Sequence, residues 1–364
     1  FNSYFLQFEQ DQRWQRRESH ELYCAGHLLE AAIAYAEATG KKKFLDLMSD
    51  YMDYIHQIFF IEKSAAFNTP GHEEIELALM KLYRYGGEKK YFDLAAYFID
   101  TRGQVDSQKA KPQELGFFKN FGAGYSQDQN PVTDQTDAQG HSVRFGYLYA
   151  AVADLARERG DDELFHACQR VLRDVTDRKM YVTGGVGNLS YGEAFGPSYI
   201  LPNKEAYTET CASISLAMVY SRMLTMVPDG EYADLMELQL YNGALAGISF
   251  DGESFTYENP LEVLYRDVQF KEKVNAPVRP FARQKVFGCS CCPPNISRVL
   301  SSIGGYQYSA SEETIYTHLY SSSKARIELA STLVTVEQQT DYPWNGDVNI
   351  YLSLEKEAEF TVAL

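Results

Sequence analysis

Apolar residues recur at three- and four-residue spacing through most of the first 305 positions, in paired segments that Gly or Pro separates at nearly every junction. HELYCAGHLLEAAIAYAEATG runs from His20 to Gly40, and KKFLDLMSDYMDYIHQIF follows it to Phe59. GHEEIELALMKLYRYGG starts after Pro70 and Gly71, stops at Gly86-Gly87, and pairs with KKYFDLAAYFIDTRG. GHSVRFGYLYAAVADLARERG pairs with DELFHACQRVLRDVTDRK, and YTETCASISLAMVYSRML with EYADLMELQLYNGALAG. PPNISRVLSSIGG is a short last helix. Each of these runs is predicted to be helical.

The two members of a pair differ. The first carries a reactive side chain near its start: His20, His72, His141, then Glu209 with Cys211, and for the last helix Cys291 with Cys292. The second carries mostly Lys, Asp and Glu, as a solvated face does. Inner helices ringing a cavity, wrapped by outer ones, would produce this pattern, so the fold is expected to be mainly α, an (α/α)6 barrel. Stacked helical repeats are the rival, but no fixed repeat period is present. Six helix pairs need one more inner helix than the five visible. The chain opens FNSYFLQF without Met and closes EKEAEFTVAL in mid-strand pattern, so the N-terminal part of the barrel is expected to be missing.

After about residue 247 the pattern changes to alternation. SFTYENP, VLYRDVQF and RQKVFGC read as strands before the last helix. YQYSAS, TIYTHLYSSS, ARIEL, TLVTVEQQTDYP and DVNIYLSLEKEAEFTVAL read as short strands joined by polar turns. The expected division is an α/α-barrel catalytic domain over residues 1–305 and an incomplete all-β sandwich over 306–364.

With 364 residues and 45% apolar content, the chain can build one large core or two smaller ones. A formal net charge of −16 repels phosphate backbones and anionic lipid, so neither nucleic acid nor membrane is an expected partner. No apolar run reaches the roughly 18 residues a spanning helix needs. The 27 Tyr and 21 Phe suit a wall that stacks on sugars, or the filling of a large helical core. An unfinished β domain offers a contact surface for a homo-oligomer. Compartment is unread; reduced thiols favour a cytoplasmic over a periplasmic setting.

Half of the six cysteines fall in CSCCPPN, at Cys289, Cys291 and Cys292. A disulfide among such close neighbours is strained, and a metal-free buried cluster is a second reading. The third is a metal site. Glu209 and Cys211 in TETCAS, together with Cys291 and Cys292, supply three thiolates and a carboxylate, a set that fits tetrahedral Zn²⁺. Cysteines before two prolines at a helix start are also placed to form a thiolate nucleophile. Cys24 and Cys168 fall within helical patterns and are expected to be small core residues. His20, Cys24 and His27 share one helical face, and His72 and His141 open helices after Gly. Neutral imidazoles there would bind sugar hydroxyls, and Arg144 would bind hydroxyls or pair with a carboxylate. His56 and His166 are expected on outer helices and His318 in the β part, away from this rim. VTGGVGN lacks the strand and helix of a nucleotide loop and reads as a tight turn that carries Glu193 toward the cavity.

HELYCAGHLLEAA, TPGHEEIELAL, VTGGVG leading to YGEAFG, YTETCA and CSCCPPN occur in this order between residues 20 and 295. In their combination the sequence resembles glycoside hydrolase family 127, the retaining β-L-arabinofuranosidases; the related families 142 and 146 share the architecture. The resemblance implies an α/α barrel followed by β-sandwich domains, acting on a carbohydrate. It further implies zinc held by Glu209, Cys211, Cys291 and Cys292, Cys291 as nucleophile, Glu193 as general acid/base, and His20, His27, His72 and His141 lining the sugar pocket. Cys289 has no assigned role. Two readings stand beside this one: a barrel sugar epimerase or other rare-sugar hydrolase whose cysteines are structural, and a non-catalytic carbohydrate-binding protein.

Overall fold

The computed structural model describes residues 2–106, 109–264, 266 and 282–364. The helical part contains α1 (Ser3–Phe8), α2 (Glu21–Thr39), α3 (Lys43–His56), α4 (Ile75–Gly86), α5 (Lys89–Thr101) and α6 (Pro112–Phe121). It continues with α7 (Ser142–Arg159), α8 (Asp162–Asp174), α9 (Thr210–Leu224), α10 (Gly230–Leu238) and α11 (Cys292–Ser302). The predicted pairing holds: α2 packs on α3, α4 on α5, α7 on α8 and α9 on α10, while α2, α4, α7, α9 and α11 follow one another around the interior. All residues of α7 from Ser142 to Ala156 are buried. The outer α8 buries only a stripe: Leu164, Ala167, Cys168, Val171, Leu172 and Asp174. A helix enclosed on all sides must be apolar all round, and one on the rim only along its inner face. α3, α8 and α10 each continue into a π-helical turn.

Two close approaches hold the interior together. A Cβ on Gly146 would lie 2.0 Å from Ser215 Oγ, so α7 and α9 touch where neither has a large side chain. Asp154 of α7 pairs with Arg84 of α4 at 2.6 Å and Arg222 of α9 at 2.8 Å. Burial alone would raise the Asp154 carboxyl; the two guanidiniums outweigh it and hold the group below the usual carboxylate range. On the far side, Arg298 of α11 reaches Glu30 of α2 and Glu74 just before α4.

The described β part holds β1 (Tyr308–Ala310), β2 (Thr314–Thr317), β3 (Ser323–Glu328), β4 (Leu333–Thr340), β5 (Val348–Leu354) and β6 (Thr361–Ala363). β1, β2 and β6 form one sheet, with β2 and β6 parallel, and β3, β4 and β5 form an antiparallel second sheet. Ile315, Leu329, Val334 and Val336 make their small core.

Several expectations need correction. The third predicted helix begins at Ile75, not beside Gly71, so His72 sits in the preceding loop. That loop is pinned because Gly71 passes against the Arg17 backbone, where a Cβ would come within 2.5 Å of the carbonyl oxygen. SFTYENP and RQKVFGC are not strands: only single bridges join Ile248 to Phe255, Phe255 to Gln284 and Glu209 to Glu258. VLYRDVQF lies largely outside the described residues. The final predicted run breaks between β5 and β6. Cys168 is fully buried as expected, but Cys24 is exposed, because α2 buries the stripe through Leu22, Ala25, Leu29 and Ala32 instead.

Gly146→Val is expected to push α7 from α9 and destabilise the protein by about 1–3 kcal/mol, seen as a lower urea midpoint with helical circular dichroism retained.

Candidate active site

The starts of the inner helices converge on one rim. His20 precedes α2, Glu74 precedes α4, His141 precedes α7, Glu209 precedes α9 and Cys291 precedes α11. Helix N-termini present unpaired N–H groups and the positive end of the dipole, so anions gathered there are stabilised.

The sulfur cluster is built by two of these starts. Cys211 Sγ lies 3.4 Å from Cys292 Sγ and 3.8 Å from Cys291 Sγ, and Cys291 and Cys292 are 3.9 Å apart. Glu209 Oε1 is 3.5 Å from Cys291 Sγ and 4.0 Å from Cys292 Sγ. The adjacent cysteines both reach in because Pro293 and Pro294 occupy the first turn of α11 and the chain bends just before it. Tetrahedral bonds of about 2.3 Å to one ion separate sulfur ligands by about 3.8 Å. All four ligand atoms lie within 4.8 Å of one another, and the buried Glu209 Oε2 has no hydrogen-bond partner among the described residues. The donor set therefore fits a metal ion that accepts sulfur and oxygen. No disulfide joins these cysteines.

The three thiols are not equivalent. Cys211 and Cys292 are buried, whereas Cys291 is half-buried. Hydrogen bonds from the Cys211 and Cys292 thiols and from the Tyr257 hydroxyl, 3.1 Å away, outweigh burial and hold the Cys291 thiol down at about 2. Burial and the bond it gives Cys291 push Cys211 up. Cys292 also rises: the Cys211 bond would lower it, but the bond to Cys291 and burial prevail. Of the three, Cys291 is the sulfur that solvent can reach. Cys289 is exposed, is not one of the four ligand groups, bonds the Cys291 side chain and lies 3.7 Å from the Tyr257 hydroxyl.

Glu193 faces the cluster from a turn. Gly184 and Gly187 take left-handed φ of 83° and 77°, and a Cβ on Gly187 would lie 2.7 Å from Ser142 Oγ at the start of α7. Glu193 itself has φ 52°, His20 59° and Thr208 42°, a strained conformation for side-chain-bearing residues that recurs around this rim. Glu193 Oε2 lies 2.6 Å from His141 Nε2. His141 Nδ1 accepts the backbone N–H groups of Val143 and Arg144, so the imidazole proton resides on Nε2 and is donated to Glu193. Glu193 Oε1 accepts the hydroxyl of Tyr207 at 2.7 Å, and the Tyr257 hydroxyl oxygen lies 3.3 Å from it. Burial would raise this carboxyl; the His141 and Tyr207 hydrogen bonds outweigh it and keep it below the usual range. Its side chain is 31% exposed, so it exchanges protons with solvent.

Three of the four predicted histidines form one wall: the rings of His20 and His72 are 5.8 Å apart, and those of His72 and His141 5.4 Å. His20 Nδ1 bonds the Glu18 carbonyl and His72 Nδ1 the Glu73 carbonyl; a carbonyl only accepts, so both present a free Nε2 lone pair. Burial and the Arg144 charge push both below the usual imidazole range, and burial leads the same shift at His141. His27 lies about two turns further along α2. There it meets Glu74 at 3.3 Å and stacks edge-on with Tyr23, and burial with the Arg298 charge brings it down to about 4. Among the described residues Arg144 pairs directly with no carboxylate: it donates to the Gly71 carbonyl and Ser126 and lies over the Tyr125 ring.

Sequence reasoning missed Tyr207, Tyr257, Glu74 and Arg298. Tyr207 opens the quoted YTETCA, but its apolar neighbours mark it only as a helix start. Nothing in SFTYENP marks Tyr257 as the hydroxyl that touches both Cys291 and Glu193.

A family model described as β-L-arabinofuranosidase, GH127 catalytic domain, matches residues 2–305, and one for the GH127 middle domain matches residues 314–364. A non-reducing end β-L-arabinofuranosidase of Bifidobacterium longum is 40% identical over 94% of this chain and 52% of its own. The crystal structure of a GH127 β-L-arabinofuranosidase from Geobacillus stearothermophilus T6 superposes with TM-score 0.92 at 44% identity, covering 100% of this chain and 57% of its own. A second GH127 β-arabinofuranosidase structure gives TM-score 0.80 at 38% identity, over 92% of this chain and 48% of its own. The chain thus spans about half the length of these relatives. With its helical barrel and the match over nearly the whole of that barrel, the chain belongs to the GH127 β-L-arabinofuranosidase family.

Proposed function

We propose that this chain carries the active site of a retaining glycosidase that releases β-L-arabinofuranose or a close analogue, with Cys291 as nucleophile and Glu193 as general acid/base. The observation that carries the reading is the Tyr257 hydroxyl, which lies 3.1 Å from Cys291 Sγ and 3.3 Å from Glu193 Oε1. Even fully in line, those contacts bring the two reacting groups closer than the roughly 6.5–9.5 Å that inverting enzymes leave for a water. Such a spacing suits a direct attack by the sulfur.

Glu209, Cys211, Cys291 and Cys292 would hold Zn²⁺, which supplies the charge that keeps the thiols deprotonated at neutral pH. The remaining chemistry belongs to the chain. His20 and His72 accept sugar hydroxyls at Nε2, and His141 orients Glu193 through Nε2–H; His27 is taken up by Glu74. The Cys291 sulfur attacks the anomeric carbon as the C–O bond breaks, and Glu193, having taken a proton from solvent, passes it to the departing oxygen. In the second step Glu193 removes a proton from water, the water oxygen displaces sulfur, and the Cys291 thiolate returns. Two inversions give retention. The hydrogen bonds that favour the Glu193 carboxylate suit this second step most directly.

Cys291→Ser is expected to leave thermal unfolding nearly unchanged and to lower kcat/KM on an aryl β-L-arabinofuranoside by about 10³-fold or more. An epimerase with structural cysteines would keep its turnover, and a binding protein would have none to lose. Metal analysis is expected to find about one zinc per chain, lost in Cys292→Ala together with several degrees of Tm. Tyr207→Phe removes a donor that stabilises the Glu193 carboxylate, so the folded-state pKa rises and the protonated form survives to higher pH. The alkaline limb of kcat/KM against pH is expected to move upward; a downward move would contradict the acid assignment.

A further inference from the structure

His27, Glu30 and Glu74 form a second cluster of ligand type in the barrel interior: their donor atoms all lie within 4.8 Å of one another. Glu30 and Glu74 are both buried, and two carboxylates so placed need a cation. The chain supplies its own. The Arg298 guanidinium bonds Glu30, lies 3.4 Å from Glu74 Oε1 and 3.5 Å from Glu74 Oε2, and sits over the Tyr147 ring, 5.3 Å from its centroid. Lys81 adds a contact to Glu30, and His27 Nδ1 lies 3.3 Å from Glu74 Oε1. An ion among these donors would meet a fixed positive charge, so the cluster is not a metal site.

No step of the reaction uses this arginine, yet its place in the fold is particular. Cys291 and Arg298 are two turns apart on one face of α11, about 10 Å along its axis. α11 is 11 residues long and, among the described inner helices, packs closely only on α9. One packing neighbour leaves the tilt and slide of a short helix undetermined. Arg298 removes that freedom because its partners stand on other helices: Glu30 on α2, Glu74 at the start of α4 and Tyr147 on α7. A planar guanidinium with fixed donors holds two carboxylates in a defined geometry, which a lysine ammonium does not. The sulfur cluster depends on that register. Cys291 and Cys292 come from α11, Glu209 and Cys211 from α9, and sulfur separations of 3.4, 3.8 and 3.9 Å leave little room for either helix to shift. Glu74 closely follows His72 in the chain, so the same guanidinium also links the sulfur pair to the histidine wall.

We propose that Arg298 is a positioning residue for the sulfur cluster: by tying α11 to α2, α4 and α7 it fixes Cys291 and Cys292 against Glu209 and Cys211, and so sets the affinity of that site for zinc. The assignment rests on the zinc-bound glycosidase reading above. It is tested on the wild type, Arg298→Met, Arg298→Lys and the double variant Arg298→Met/Glu74→Gln, each stripped of metal with a chelator. Zinc affinity is measured by competition with a chromophoric chelator, and the arrangement of the sulfur donors by the thiolate-to-metal absorption of the Co²⁺ form. Stability is read as the Tm of the metal-free protein. Arg298→Met is expected to weaken zinc by about tenfold or more and to shift the Co²⁺ band, with Tm lowered. Arg298→Lys keeps the charge without the fork; it should retain most of the Tm and still weaken zinc, which guards against misfolding as the cause. The double variant removes the buried charge that Arg298→Met leaves unpaired, so Tm should recover while zinc stays weak. Zinc affinity that is unchanged in Arg298→Met, or that recovers with Tm in the double variant, overturns the positioning role and leaves Arg298 a structural ion pair. A wild type that binds no zinc overturns it together with the metal reading. A wild type that binds zinc with this dependence on Arg298 but hydrolyses no β-L-arabinofuranoside upholds it and overturns the glycosidase reading alone.

Discussion

The convergence of helix N-termini on one rim is the constraint on which the rest depends. The starts of α2, α4, α7, α9 and α11 meet there, and each brings unpaired N–H groups and a positive dipole end. A barrel whose inner helices run in parallel cannot avoid this, and the chain fills the rim with groups that use it. Cys291 and Cys292 lie at one start, Glu209 and Cys211 at another, and His141 Nδ1 takes up the free N–H groups of a third. That last contact also fixes the tautomer that aims a proton at Glu193.

Gathering like charges has a cost, and buried cations offset it. Arg298 lies two turns below Cys291 on the same helix face and binds Glu30 and Glu74, while Lys81 adds a second contact to Glu30. Burial would raise the Glu30 carboxyl, but these two cations outweigh it and hold it low; Glu74, buried beside Glu30, is pushed well up. The same arginine spans from α11 to α2, so the helix that carries the sulfur pair is positioned by a charge contact as well as by packing on α9. A second buried set, Arg102 with Glu73, Glu76 and Asp128, braces the loop that presents His72. Removing one partner from either set would leave a buried charge uncompensated.

Much of the fold was legible in the sequence because it follows from local periodicity. Helix pairs, their inner and outer members and the turn to short strands appear as apolar spacing, and the structure keeps them. What failed has a common cause. His72 precedes its helix because Gly71 packs on Arg17, fifty-four positions away, and SFTYENP and RQKVFGC stay irregular because they line a cavity rather than a sheet. Cys24 points outward because tertiary packing chose the neighbouring stripe of α2.

Residue order along the chain sets which chemistry is available: three thiols and a carboxylate near helix starts, a turn carrying Glu193, and histidines at the same ends. Residue type and distance along one helix are local properties, so they can be read from order alone. Which of those groups meet is settled by how the helices pack. That packing made Cys291 the half-buried sulfur of the three, set Tyr257 between it and Glu193, and placed His27 against Glu74. It also brought Arg298 to Glu30 and Glu74, a contact that no motif announces. Those outcomes depend on contacts between segments far apart in the chain, and on how much water each group loses there, which no local pattern encodes.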